Sequence, residues 1–154
     1  YMADAGEFTN LGEISVQGTR HPDVLKLWLS LRHIGRTGYE QLVDEACRLA
    51  ARWADRLGAL PFVELAAPAP DTSIVCFRGT PDWLPASAWD AWNAQLQQHL
   101  LRHEQLFLSL PVHADGRWLK AVILNPYFDD AHVQRLIAGI EQFAEQTGLI
   151  RTSR

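Results

Sequence analysis

The sequence predicts an α+β domain, a small antiparallel sheet of about four strands covered by helices on one face. Apolar residues recur at helical spacing in several separate stretches. Short runs rich in β-branched and aromatic residues lie between them and come in neighbouring pairs joined by short turns, which makes adjacent strands antiparallel. The length of 154 residues suits one such domain.

Residues 1–21 show no helical period and are punctuated by Gly6, Thr9, Asn10, Gly12 and Gly18, so they read as an irregular, partly extended segment. Residues 22–154 form the helices and the sheet. Pro22 suits the first turn of a helix, and Gly35 suits its end, which predicts a helix over about 22–34. Val24 to Leu31 is apolar on nearly every side, the pattern of a buried element. Thr37-Gly38-Tyr39-Glu40 has the spacing of a capping box and opens a second helix that Gly58 closes. Arg48, Arg52 and Arg56 recur every fourth residue on it and read as a solvated basic face. Pro61–Leu65 and Ser73–Arg78 read as strands around the proline-rich Ala66–Asp71 turn. Ser87 to Asp90 predicts the cap of a helix over about 87–103. Leu106–Leu110 and Trp118–Leu124 read as strands around a hairpin turn at Asp115-Gly116. Asp129 or Asp130 caps a last helix that ends near Thr147, with Gly148 after it.

Composition excludes several function classes. The formal charge of −4, from 14 basic and 18 acidic residues, lacks the clustered basic excess of a nucleic-acid binder. No apolar run is long enough to span a membrane as a helix. Cys47 and Cys76 give no disulfide framework and match no zinc spacing, which fits a reducing, cytoplasmic setting. Tyr1 precedes Met2 and no signal-peptide pattern follows, so the chain reads as an internal piece of a longer polypeptide or one whose earlier part is absent.

The bare chemistry is sparse. His99 and His103 share a helix face at a spacing that suits a metal pair, but no third ligand is apparent nearby, and they read as surface histidines. No nucleophile elbow, dinucleotide glycine motif or phosphate-loop lysine is present. Lys26 lies in an apolar helix, where a lysine stem ordinarily snorkels outward. Lys120 stands inside an apolar strand, sharing a face with Trp118, Val122 and Leu124 if alternation holds. A cation there calls for an anionic partner, or else guards a sheet edge.

The stretch Gln17-Gly18-Thr19-Arg20-His21-Pro22-Asp23-Val24-Leu25-Lys26-Leu27-Trp28-Leu29 resembles the group II pyridoxal-phosphate decarboxylases, which include glutamate, aromatic amino acid, cysteine sulfinate and diaminobutyrate decarboxylases. In that family a Gly-Thr-Arg turn precedes a helix close to Lys-Leu-Trp, and a Gly-x-x-Gly follows, as Gly35 to Gly38 does here. Ile74-Val75-Cys76-Phe77-Arg78 is similar to the family's Val-Cys-Phe strand, and Leu119 to Pro126 to its late strand ending in Asn-Pro.

The resemblance covers the C-terminal part of such an enzyme and implies the small C-terminal domain of fold-type I pyridoxal-phosphate enzymes. It implies a cytoplasmic homodimer acting on an amino acid, with pyridoxal 5'-phosphate as cofactor. It places the cofactor-bearing lysine in a large domain upstream, so that this chain holds no catalytic residue and no metal and is inactive by itself. Residues 1–21 then follow the mobile catalytic loop, at the cofactor and dimer interface. Gly18, Thr19 and Arg20 correspond to the turn that approaches the cofactor phosphate. Lys120 stands where the family has an arginine that pairs with the substrate carboxylate. The competing expectation is a stand-alone binding or regulatory module that presents Trp83, Trp89 and Trp92 as a surface.

Overall fold

A computed structural model describes residues 21–113, 116–125 and 127–152. The chain divides into two units, Tyr1–Tyr39 and Glu40–Arg154. The elements are α1 (Asp23–Gly58), β1 (Val63–Leu65), β2 (Ile74–Gly79), a short 3₁₀ turn (Ala86–Ala88), α2 (Trp89–His103), β3 (Val112–His113), β4 (Gly116–Arg117), β5 (Leu119–Val122) and α3 (Asp130–Thr152).

The two helices predicted on either side of Gly35 are present, and α1 is the pair of them joined across a break in helical geometry at that residue. Gly35 has φ of 71°, a left-handed conformation that glycine adopts without a side-chain clash. The first helix therefore stops there, and the second follows directly across a kink with no intervening loop. In the first unit Lys26 pairs with Asp23 at 2.7 Å, and the Ser30 and Tyr39 hydroxyls lie 2.8 Å apart. Val24, Leu27 and Trp28 are exposed, against the buried position predicted for this stretch. Apolar patterning reports that a surface needs covering; it does not say by what.

In the second unit β1, β2 and β5 form a three-stranded antiparallel sheet in that spatial order, and β3 pairs with β4. The α+β class is as expected, with the strands divided between two small sheets. Val75 and Phe77 of β2 and Leu119 and Ala121 of β5 face inward and are buried. Against them lie Leu49, Trp53 and Leu57 of α1, Trp92, Leu96 and Leu100 of α2, and Val133, Leu136 and Ile140 of α3, in one core. All three helices contribute to that core, and the opposite face of the sheet is partly accessible, with Cys76, Arg78 and Lys120 half-buried.

Several predicted boundaries move, each for a visible reason. Leu106–Leu110 is not a strand; Ser109 alone bridges to Lys120. The Leu106 N–H donates to the Leu100 carbonyl at 3.0 Å, and the Leu108 carbonyl accepts from the Gln97 amide at 2.8 Å, so α2 takes the groups a ladder would need. The hairpin appears one step later, as Val112 paired with Arg117 and His113 with Gly116. Ser87 does not cap α2, because its first turn is the 3₁₀ turn that begins after Pro85. Gly148 lies inside α3, where an added Cβ would meet the Trp83 indole at 3.7 Å. The arginine row on α1 is solvated at Arg48 and Arg52, which reach Glu45, and its far end meets the start of α3: Arg52 lies 3.9 Å from Asp130, and Arg56 donates to the Asp130 carbonyl at 3.4 Å.

The join between β2 and α2 is tight. A Cβ on Gly79 would lie 2.1 Å from the Trp92 ring, which is buried and held by its indole N–H donating to the Thr147 hydroxyl at 3.0 Å. Gly79→Ala is expected to cost about 2–3 kcal/mol through overpacking, read as a lowered urea midpoint at unchanged slope.

Candidate functional site

The accessible face of the sheet is built by alternation. Cys76 lies across from Lys120 in the β2–β5 register, and Glu64 across from Arg78 in the β1–β2 register. One step further along, Arg78 meets Trp118. This orders the face into rows. One contains Glu64, Arg78 and Trp118; the next contains Cys76, Lys120 and Ser109.

The first row is closed on itself. The Arg78 guanidinium donates to Glu64 at 2.8 Å and lies 4.5 Å from the Trp118 ring centre and 5.7 Å from that of Trp89. A planar guanidinium is the cation best suited to stack on indoles while it pairs with a carboxylate. Gly116 fits beside it, where an added Cβ would lie 3.0 Å from both Arg78 Nη1 and Asp90 Oδ1. Asp90 in turn accepts from the Arg117 N–H at 2.8 Å, which ties β4 to α2.

The second row is open. Lys120 is half-buried, and among the described residues its ammonium makes no ion pair. Its own backbone is fixed on the outer side, with its N–H donating to the Ser109 carbonyl at 2.8 Å. The facing Cys76 does not neutralise it. Burial pushes the Cys76 thiol up from its ordinary range by more than the nearby Lys120 charge pulls it down, so at neutral pH it is an uncharged thiol. The row thus offers a positive charge on a strand paired on both sides, between two small, neutral side chains. That arrangement can hold an anionic group such as a carboxylate. The predicted sharing of one face by Lys120 and Trp118 holds, with Trp118 buried under Arg78 and Val122 and Leu124 exposed.

The other candidates are distributed elsewhere. Gly18, Thr19 and Arg20 lie outside the described residues. The His99 and His103 rings are 4.7 Å apart on α2, and burial pushes His99 below the usual imidazole range, with His103 adding to that shift. Among the described residues no three His, Cys, Asp or Glu side chains gather to hold a metal ion. Trp92 is buried; Trp89 is half-buried, with its N–H on the Pro81 carbonyl at 3.3 Å; and Trp83 packs near Phe62 at 5.9 Å, so the three do not form one open surface. Sequence reasoning missed Cys76 and Ser109 as neighbours of Lys120. Alternation places each on a face of its own strand, but only the register puts them in one row.

The geometry defines an antiparallel α+β domain that carries a half-buried lysine on the face of its sheet away from the core. The model of the pyridoxal-dependent decarboxylase conserved domain matches residues 1–80, and the chain belongs to that family, whose cofactor is pyridoxal 5'-phosphate. It is 28% identical over 137 residues to an L-2,4-diaminobutyrate decarboxylase of Acinetobacter baumannii, covering 89% of this chain and 27% of the relative. It is 31% identical over 138 residues to the L-2,4-diaminobutyrate decarboxylase of Rhizobium meliloti (strain 1021), with 89% and 27% covered. The chain therefore spans about a quarter of the length of these relatives.

Among solved structures, Oryza sativa TDC with PLP and tryptamine superposes with a TM-score of 0.75 at 20% identity, over 92% of this chain and 30% of that one. The glutamate decarboxylase domain of the Vibrio parahaemolyticus diaminobutyrate-pyruvate transaminase and L-2,4-diaminobutyrate decarboxylase gives 0.69 at 24% identity, over 80% and 26%. Both show the fold, that of fold-type I pyridoxal-phosphate decarboxylases.

Proposed function

We propose that this chain is the C-terminal portion of a homodimeric decarboxylase that removes the α-carboxylate of an L-amino acid as carbon dioxide, with Lys120 holding that carboxylate. The observation that carries the reading is the half-buried residue Lys120, its ammonium without an ion pair among the described residues and its register partner a neutral thiol, in a chain of this family. The relatives' names make 2,4-diaminobutyrate the first substrate to try. The cofactor-bearing lysine lies outside this chain in this reading, and Gly18, Thr19 and Arg20 hold the cofactor phosphate. A threonine hydroxyl and exposed backbone N–H groups are apt donors to a phosphate, and glycine permits close approach. The described residues fit the substrate side of the reaction, through a donor set suited to a carboxylate.

Bound pyridoxal phosphate supplies the electron-withdrawing ring that takes up the electrons of the breaking bond. Lys120 does the work of binding. Its charge attracts the carboxylate, and its place on a paired strand limits where that group can sit. Carbon dioxide is neutral, so the attraction fades as the bond breaks. Lys120 therefore contributes to substrate affinity more than to the rate of the chemical step.

The test is amine and carbon dioxide formation by the full-length protein with added pyridoxal phosphate, from L-2,4-diaminobutyrate, L-glutamate and L-tryptophan. Turnover of at least one, with a cofactor absorbance band on the protein, is the expected result; no carbon dioxide from any of them sinks the reading. Cys76→Asp adds a sharper check. It places a carboxylate opposite Lys120 and is expected to raise KM by about ten-fold through charge neutralisation, whereas Cys76→Ser stays near the parent.

A further inference from the structure

The Lys120 row holds a hydroxyl with no role in the reading above. We propose that Ser109 supplies a second hydrogen bond to the substrate carboxylate, so that Lys120 and Ser109 together form a two-donor cradle. The proposal rests on Lys120 being the carboxylate's cation.

A carboxylate presents two oxygens and about four lone-pair directions. An arginine meets two of them with its planar fork; a lysine offers a compact charge without that geometry. Here the missing donor lies on the neighbouring backbone. Ser109 is the antiparallel bridge partner of Lys120. Bridge partners turn their side chains to the same face with Cβ atoms ~4.5–5.5 Å apart, a separation that one carboxylate can span with an oxygen toward each. Leu108 is buried and Leu110 packs against the core, which leaves Ser109 facing the Lys120 side. Its hydroxyl is weakly engaged, with its one contact a 3.5 Å approach to the Lys120 carbonyl, at the outer limit of a hydrogen bond. Ser109 is also half-buried, so water competes less for that proton than at an open surface. The other flank is the neutral Cys76 thiol, a weak donor.

The experiment compares the affinity of the full-length protein for L-2,4-diaminobutyrate with that for 1,3-diaminopropane, the amine left once the α-carboxylate is removed. Ser109→Ala is expected to weaken the amino acid about ten-fold and leave the diamine within about two-fold, because only the amino acid carries the group that Ser109 holds. Ser109→Thr keeps the hydroxyl and is expected to retain parental affinity. In a Lys120→Arg background the guanidinium supplies both donors, and Ser109→Ala is expected to cost under about two-fold.

Equal weakening of both ligands would mark Ser109 as merely structural and overturn the proposal. So would an unchanged amino-acid affinity, or an equal loss in the Lys120→Arg background. If Ser109→Ala does not fold, Ser109→Cys, close in shape and a far weaker donor, gives the same comparison. A Lys120→Met variant that leaves amino-acid affinity unchanged would instead overturn the underlying assignment of Lys120, which keeps the two failures apart.

Discussion

Lys120→Met is expected to raise KM for the amino acid by about 10- to 100-fold while kcat falls far less, the size of a lost hydrogen bond to a charged group. The split follows from where the charge goes. The carboxylate is fully anionic in the bound substrate and vanishes into carbon dioxide, so its attraction to Lys120 is strongest before the bond breaks. Methionine keeps an unbranched apolar stem in the row between Cys76 and Ser109 and removes the ammonium. Lys120→Arg is expected to stay within a few-fold of the parent, since the charge survives and a fork replaces the point donor. Steady-state kinetics on the full-length protein decide it. A kcat that collapses at unchanged KM would remove Lys120 from carboxylate binding and place it in the chemical step.

The largest structural effect is expected at Asn93. It is completely buried on α2, and its amide closes the end of β2: its oxygen accepts from the Gly79 N–H at 2.7 Å, and its nitrogen donates to the carbonyls of Gly79 and Trp89, both at 2.8 Å. One side chain thus satisfies both backbone groups of a buried strand residue. Asn93→Ala leaves these groups without partners and is expected to destabilise the fold by about 3–5 kcal/mol, a large part of a typical domain's stability. Asn93→Asp is nearly isosteric, yet it is expected to be no better at neutral pH. It keeps the acceptor, loses both donors and sets a carboxylate against two carbonyl oxygens. Burial raises that carboxyl's pKa, so the folded state binds a proton more tightly than the unfolded one, and stability rises as pH falls through the folded pKa. Urea midpoints of the two variants at neutral and mildly acidic pH are the measurement. An Asn93→Asp protein as stable as the parent at neutral pH would sink this account of the join.

How much of this was legible beforehand differs from element to element. The helices of Leu49 to Leu57, Trp92 to Leu100 and Val133 to Phe143 were legible because each carries its apolar stripe at the period of its own backbone. The strands at Ile74 and Leu119 were legible because their alternation is local too. Leu106–Leu110 reads as a strand and is not one, since α2 takes the Leu106 N–H and the Leu108 carbonyl and leaves Ser109 alone to bridge to β5. At the candidate site Lys120 was found because a cation in an apolar strand stands out in the sequence. Cys76 entered the reading through the absent disulfide and zinc patterns and the Val-Cys-Phe strand, Arg78 as the end of that strand, and Ser109 only inside the Leu106–Leu110 stretch.

The class of the domain, the existence of its helices and principal strands, the break at Gly35 and the isolation of Lys120 among apolar neighbours were all readable in the sequence. These follow from residue identity and short-range geometry. Tertiary structure alone decided which side chains share a row. It placed Cys76 and Ser109 beside Lys120, engaged Arg78 with Glu64 and two tryptophans, and used Asn93 to close β2. The physical reason is register. A shift of one residue between neighbouring strands exchanges the two faces of the sheet, and what holds these strands in place is the core packed from residues distant in the chain.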